Sequence, residues 1–229
     1  MRPKFLPKKA LSIGRTLVVA DLHIGFEVAM AEEGNYVPSL LGKMVLDLRT
    51  VLEGGKFKRL VINGDLKHSF VPMKREKSEL RAFFEGVEGL VDEIILVRGN
   101  HDVGVAWLRE LGVEIVDSLE LAGWTLVHGH RLEEGERFII GHEHPAIRLR
   151  DEVGASVKVP IFLRGEKLIV LPAFSPWAYG NDVTREIVSP FLRKFKTDAM
   201  RVLVPVDGEL FDFGELGTLK ETLRKLGSV

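Results

Sequence analysis

The chain has 229 residues, 45% of them hydrophobic, a length that suits one large α/β domain or two small ones, and a single domain over residues 1–229 is the expectation. Its 32 Lys and Arg nearly cancel its 33 Asp and Glu, which excludes the global positive field of non-specific nucleic-acid binders and leaves room only for a local basic patch. It contains no cysteine, so disulfides, thiolate zinc sites and cysteine nucleophiles are excluded together, and any metal must be held by nitrogen and oxygen ligands.

The opening stretch, MRPKFLPKKALSIG, lacks the continuous apolar core of a signal peptide, and no apolar run approaches the ~20 residues that span a bilayer. A cytoplasmic location with no membrane partner is expected. The first strand is expected over Leu17–Ala20. A helix follows from Ser39, a plausible N-cap, with Leu40, Leu41, Met44, Val45, Leu48, Val51 and Leu52 on one stripe and Gly54-Gly55 to stop it. Leu60–Ile62 reads as a second strand, and Leu80 to Val91 as a helix whose regularity Gly86 and Gly89 lower. Ile94–Val97 is a strand, Val105–Leu111 a short helix, and Thr125–Val127 and Phe138–Ile140 are strands. Beyond Pro145 come strand-like pieces at Lys158–Leu163 and Leu168–Leu171, the loop LPAFSPWAYGND, a strand over Met200–Val206 and a helix over Leu216–Leu226. Alternating strands and helices argue for an α/β core. Glutamine is absent and asparagine occurs four times while Lys, Arg and Glu are plentiful, a balance that leans towards a thermophilic source.

Each of the five strands up to Ile140 is followed at once by residues suited to a metal. The series is Asp21-Leu22-His23, Gly64-Asp65, Gly99-Asn100-His101-Asp102, His128-Gly129-His130 and Gly141-His142-Glu143-His144. Strand ends on one side of an α/β sheet converge, and ligands bind at that edge. Six of the seven histidines lie inside the series. A single tetrahedral ion needs three or four ligands, so at least seven candidates fit a pair of ions better. Two such ions lie roughly 3.5–4 Å apart and clamp the attacking and leaving oxygens of an in-line displacement. An anionic bridge is then required, and Asp65 on its strand-end turn is suited to it. In D-x-H and H-x-H an extended backbone is expected to send both side chains to one side. Gly64, Gly99 and Gly141 are expected to permit tight turns and close backbone approach.

The series resembles the signature of the calcineurin-like metallophosphoesterases, D-x-H, G-D, G-N-H-[D/E], H and G-H-x-H, in order and complete. The resemblance implies that Asp21, His23 and His144 hold one divalent metal, that Asn100, His128 and His142 hold the other, and that Asp65 bridges them. It implies that His101 faces the substrate, stabilising phosphoryl oxygens or protonating the leaving group, with Asp102 orienting its imidazole. The fold it implies is a four-layer α-β-β-α sandwich of two mixed sheets with helices outside. The stretches ADLHIGFE, NGDLKHSF, RGNHD, GHEHPAI and LPAFSPWAYGNDV look like the small prokaryotic metallophosphoesterases associated with DNA ligase or Lhr-type helicases. That implies a phosphodiesterase acting on small or nucleic-acid phosphodiesters beside such partners. A phosphomonoesterase or protein phosphatase, and a non-catalytic binding module on the same fold, stay open as alternatives. Histidine with carboxylate and amide oxygens suits manganese first, then iron, nickel, cobalt or zinc.

Several neighbours carry two readings. His130 is a substrate-facing residue or a plain loop histidine. Lys67 and His68 reach a bound phosphate or are solvated. Arg98 binds phosphate through its fork or is a surface charge. Glu143 and Glu27 read as exposed acids more readily than as supports for the ligands. Phe174, Ser175, Trp177 and Tyr179 form a base-stacking wall or, more simply, pack on the sheet.

Overall fold

The structure is a computed structural model that describes residues 1–150 and 155–226. Strands β1 (Lys4–Leu6), β2 (Ala10–Ile13), β3 (Thr16–Val19), β4 (Arg59–Asn63), β5 (Glu93–Val97) and β6 (Val113–Val116) form one sheet in that order. From β3 to β6 the pairs are parallel, so β3, β4 and β5 end on the same edge. A second sheet has the order β16-β15-β12-β13-β9-β8-β7, built from β7 (Leu119–Leu121), β8 (Trp124–Leu126), β9 (Phe138–Ile140), β12 (Phe162–Arg164), β13 (Leu168–Val170), β15 (Arg201–Val206) and β16 (Glu209–Glu215). In it β8, β9 and β13 are parallel.

The short central strands carry apolar residues on both faces because both faces are covered. Leu17, Val19, Leu60, Ile62 and Leu96 pack outward beneath helices α2 (Leu41–Gly55) and α3 (Lys74–Val87), which contribute Met44, Leu48, Leu80 and Phe83. The alternate residues Val18, Ala20, Val61, Ile95 and Val97 face inward against Leu126, Ile139, Phe162 and Ile169 of the second sheet. Phe138, Ile140, Leu168 and Val170 face out again, under Phe191 and Leu192 of α4 (Pro190–Lys194) and Leu216 at the start of α5 (Leu216–Leu226). Period-two alternation in two sheets thus separates three apolar layers and gives the expected α-β-β-α sandwich.

Some boundaries differ from expectation. Helix α2 starts at Leu41, one residue later than a Ser39 cap requires, and Lys56 in the left-handed region ends it. Helix α3 begins a turn and a half before Leu80 and stops at Val87, ahead of Gly89 at φ +72°. Gly86 stays inside it because α2 passes so close that a Cβ there would lie 2.7 Å from Val45 Cγ1. Val105–Leu111 is a 3₁₀ turn over Ala106–Leu111. The single strand expected over Lys158–Leu163 divides at Ile161. Its first half, β11 (Ser156–Pro160), joins β10 (Pro145–Arg150) and β14 (Asn181–Asp182) in a third, three-stranded sheet, while β12 enters the second.

The loop after β13 crosses back to the first sheet, where Phe174 N–H donates to Ala20 O (2.8 Å) and Ser175 N–H to Asp21 O (3.2 Å). Lys9 secures it, donating from Nζ to the carbonyls of Phe174 (2.7 Å) and Ser175 (3.1 Å). Burial pushes this lysine's pKa down to about 8, against 10.5 in the unfolded chain. Between those values the unfolded chain holds a proton that the folded chain has released, so stability rises with pH across the window. Urea unfolding of wild type against Lys9→Met should show wild type gaining from pH 8 to 10.5, by no more than about 1.4 kcal/mol per pH unit. A flat difference would contradict this account of Lys9.

Candidate metal centre

The ligand-bearing turns leave the strands in a conformation that the alternation of an extended chain does not supply. Asp21 (φ 56°), His23 (47°), Asp65 (48°), His142 (61°) and His144 (45°) all lie in the left-handed region. This corrects the expectation of extended D-x-H and H-x-H segments. Non-glycine residues there are strained, and such strain collects at functional sites. Cross-loop hydrogen bonds hold it in place: Asp21 N–H to Gly64 O and His23 N–H to Asp65 O, both 3.0 Å, and Gly141 N–H to His128 O, 2.9 Å. All three glycines act as expected, Gly64 at φ +86° where a Cβ would strike the His128 ring. A Cβ on Gly99 would strike the Asp65 carboxylate, and one on Gly141 would come 2.5 Å from Asp21 Oδ2.

All seven predicted ligands converge on this edge. Donor atoms of Asp21, His23, Asp65 and His144 lie within 4.8 Å of one another, and so do those of Asp65, His128 and His142. Asp65 belongs to both groups. Asn100 joins the second, its Oδ1 3.1 Å from His128 Nε2. Within the first, His144 Nε2 is 3.2 Å from Asp21 Oδ1 and 3.2 Å from His23 Nε2. His128 stands between the carboxylates, its Nε2 3.1 Å from Asp65 Oδ2 and its Nδ1 3.8 Å from Asp21 Oδ1.

The electrostatics suit cation binding. Burial alone would raise Asp65, but the His128 bond and the surrounding histidines hold it well below the usual carboxylate range, and Asp21 is lowered likewise by His144 and His128. Burial brings His23 down to about 3 and His142 to about 4, so both are neutral and free to ligate near pH 7. Burial also pulls on His128, but the two carboxylates outweigh it and raise that residue to about 9. Ionised carboxylates beside the neutral imidazoles of His23 and His142 are donors that a borderline divalent ion takes, and such an ion would have to displace the proton that the carboxylates favour on His128.

The flanking residues sort differently from expectation. Asp102 does not touch the His101 imidazole. Its carboxylate accepts from Gly99 N (2.8 Å), Leu66 N (2.9 Å) and Lys67 N (3.4 Å), which ties the G-D and G-N-H-D turns together, and burial raises it to about 6. The partner of His101 Nδ1 is the carbonyl of His68. His101 Nε2 is 3.8 Å from Asp65 Oδ2. His68 is at the edge of the first group, its Nδ1 3.4 Å from His23 Nδ1. Lys67 is neither at a phosphate site nor solvated, but buried, donating to Ser69 O with Glu76 Oε2 at 3.6 Å.

Arg98 pairs with Asp117 at the surface and lines an open cleft of about 370 Å³ that borders the second group, with His128, His130 and Arg131. His130 is set back, its ring centroid 5.4 Å from His128 and 6.1 Å from His142. Glu143, read from the sequence as exposed, is only 1% accessible and accepts from Asn181 Nδ2 (2.8 Å), Val188 N (3.0 Å) and Ser189 N (2.6 Å). Glu27 accepts from Leu40 N (2.7 Å) and Trp177 Nε1 (2.9 Å). With Phe174 buried and Trp177 half-buried and stacked on Phe26, Tyr179 is the most exposed member of the proposed aromatic wall. Asn63, which the sequence reading passed over, joins the two sheets beneath the ligands, donating from Nδ2 to the carbonyls of Val127 and Ile139, each 3.1 Å.

The family model described as calcineurin-like phosphoesterase matches residues 14–204. Nothing matches among curated protein sequences. Among solved structures the chain is similar to the Pseudomonas putida nuclease MPE, with a TM-score of 0.69 and 23% identity over 92% of this chain and 94% of that one. An archaeal phosphodiesterase aligns more loosely, with a TM-score of 0.41 and 15% identity over 87% and 98% of the two chains. The likeness to the nuclease speaks to fold alone. The chain belongs to the calcineurin-like phosphoesterase family, metal-dependent hydrolases of phosphoester bonds.

Proposed function

We propose that this protein is a two-metal phosphodiesterase acting on small or nucleic-acid phosphodiesters. The observation that carries the reading is that Asp65 offers its carboxylate to two separate ligand groups at once. One group is Asp21, His23, Asp65 and His144; the other is Asp65, Asn100, His128 and His142. Divalent ions held there, manganese being the first to try, would activate a water for in-line attack and offset charge on the phosphoryl oxygens.

The chain's own residues supply the rest. The His68 carbonyl fixes the His101 tautomer by accepting from Nδ1–H, and leaves Nε2 facing the Asp65 side of the site. From there a protonated imidazole donates to the departing oxygen, or stabilises a phosphoryl oxygen, as the ester bond breaks. Asp102 positions that imidazole through the backbone it gathers, without touching it. Arg98 and His130 border the cleft beside the second group and are proposed to meet substrate there. The stretches shared with the ligase- and helicase-associated metallophosphoesterases support a role beside such DNA-processing partners.

Turnover of bis(p-nitrophenyl) phosphate against p-nitrophenyl phosphate, with manganese present, tests the diester reading. A higher kcat/KM on the diester is expected. A preference for the monoester would move the protein to the phosphomonoesterases, and inactivity on both would leave a binding module on this fold.

A further inference from the structure

The loop that follows Asp65 carries an aromatic residue that the proposed chemistry does not use. Phe70 is 56% exposed, although it is a large apolar side chain beside a polar site. Its ring stacks on His101 with centroids 3.9 Å apart and planes at 29°. His101 in turn lies against His68, 5.8 Å away at 27°. Successive rings therefore run His68, His101, Phe70, the first two half-buried, and the column ends in an aromatic residue that is more than half open.

The loop that presents Phe70 is held firmly. Ser69 N–H donates to Glu76 Oε1 (2.8 Å), His68 N–H to Ile24 O (2.9 Å), and the Lys67–Glu76 pair lies buried beneath. Pro72 leans on the neighbouring turn so closely that a Cβ on Gly104 would approach its Cγ to 2.7 Å. Val71 (70% exposed) and Val103 (52% exposed) extend the apolar lip. Phe70, Val71 and Val103 together make an anchored, exposed apolar patch beside a polar site, and such a patch points to a ligand that covers it.

His101 Nε2 is 3.8 Å from Asp65 Oδ2, so Phe70 stands one ring away from the proposed reaction centre. A group attached to the scissile phosphate and passing over His101 meets Phe70 next. We propose that Phe70 is a specificity-determining residue that stacks with the nucleobase adjacent to the scissile phosphate, so that the substrates are nucleotide-bearing diesters. This rests on the phosphodiesterase reading above. A flat, weakly hydrated ring extends the column, whereas a sugar or alkyl group does not. Every base has a π-face, so the contact selects for a base without selecting which one.

The test compares wild type, Phe70→Ala and Phe70→Trp, all with manganese, on a thymidine dinucleotide and on the same diester made abasic at one sugar or at the other. Wild type should favour the intact dinucleotide over at least one abasic form by about ten-fold in kcat/KM, expressed chiefly in KM. Phe70→Ala should lose that preference and Phe70→Trp should keep it. An equal fall of kcat on every diester in Phe70→Ala would show that the ring only steadies His101 and would overturn the proposal, as would the absence of any preference in wild type. Failure of wild type to hydrolyse any of these diesters would instead remove the phosphodiesterase reading on which this inference depends.

Discussion

Replacing Asp65 with alanine is expected to abolish metal-stimulated hydrolysis, with a loss on the order of 10³-fold or more. Its carboxylate stands in both ligand groups, so its removal weakens both cation sites and leaves the remaining positive charges facing one another unscreened. Metal-borne stabilisation of a phosphoryl transition state amounts to several kcal/mol, which sets the expected scale. Alanine also strands a backbone donor, because Asp65 Oδ1 accepts from His101 N at 3.0 Å, at a cost of about 1–3 kcal/mol in stability. Asp65→Asn keeps an acceptor there and removes only the charge. Both variants should be inactive, and the asparagine variant should unfold close to the wild-type temperature. Full diesterase activity in a folded Asp65→Asn protein would remove the bridging role.

Replacing His101 should separate binding from turnover. It belongs to neither of the two groups that share Asp65, so metal content should match wild type while kcat falls by about 10²- to 10⁴-fold, the range for a lost general acid. The loss should depend on the leaving group. A p-nitrophenolate departs without a proton, whereas the alkoxide of a dinucleotide needs one, so His101→Ala should damage dinucleotide cleavage far more than cleavage of bis(p-nitrophenyl) phosphate. Equal losses would assign His101 to phosphoryl stabilisation instead. Loss of metal in the variant would place it among the ligands, for which its proximity to His23 and His68 in a third donor group offers a route.

The layered fold was legible because its central strands are buried on both faces and read as short apolar runs, as in Leu17–Ala20 and Phe138–Ile140. The edges were harder to read. Asp207-Gly208, both at positive φ, form a two-residue hairpin turn between β15 and β16, and Asp-Gly is a strong hairpin signal. Strand β16 was missed because Phe211 and Phe213 sit half-exposed on an edge, without the polar–apolar alternation of a strand with one wet face. The β1–β2 hairpin was hidden by its lysines and prolines.

At the site, the convergence of side chains from Asp21 to His144 followed from residue types at the ends of parallel strands. Their backbone conformation did not, because only glycine announces positive φ in a sequence and five of the seven ligand positions adopt it without being glycine. The partner of His101 was illegible for a related reason: it is a backbone carbonyl, which every residue carries, so Asp102 was the only partner a motif could suggest. Glu143 and Lys67 were readable in principle. Glu143 stands directly between His142 and His144, and a residue beside one that faces the site turns into the protein, while Lys67 lies two residues after Asp65; either charge, once inside, must find buried partners.

The central claim is that one carboxylate serves two cations. Metal content of the manganese-loaded, desalted protein measures it directly: two ions per chain in wild type, falling to one or none in Asp65→Asn, is the predicted result. A single ion per chain in wild type, or two ions retained in full by Asp65→Asn, would contradict it.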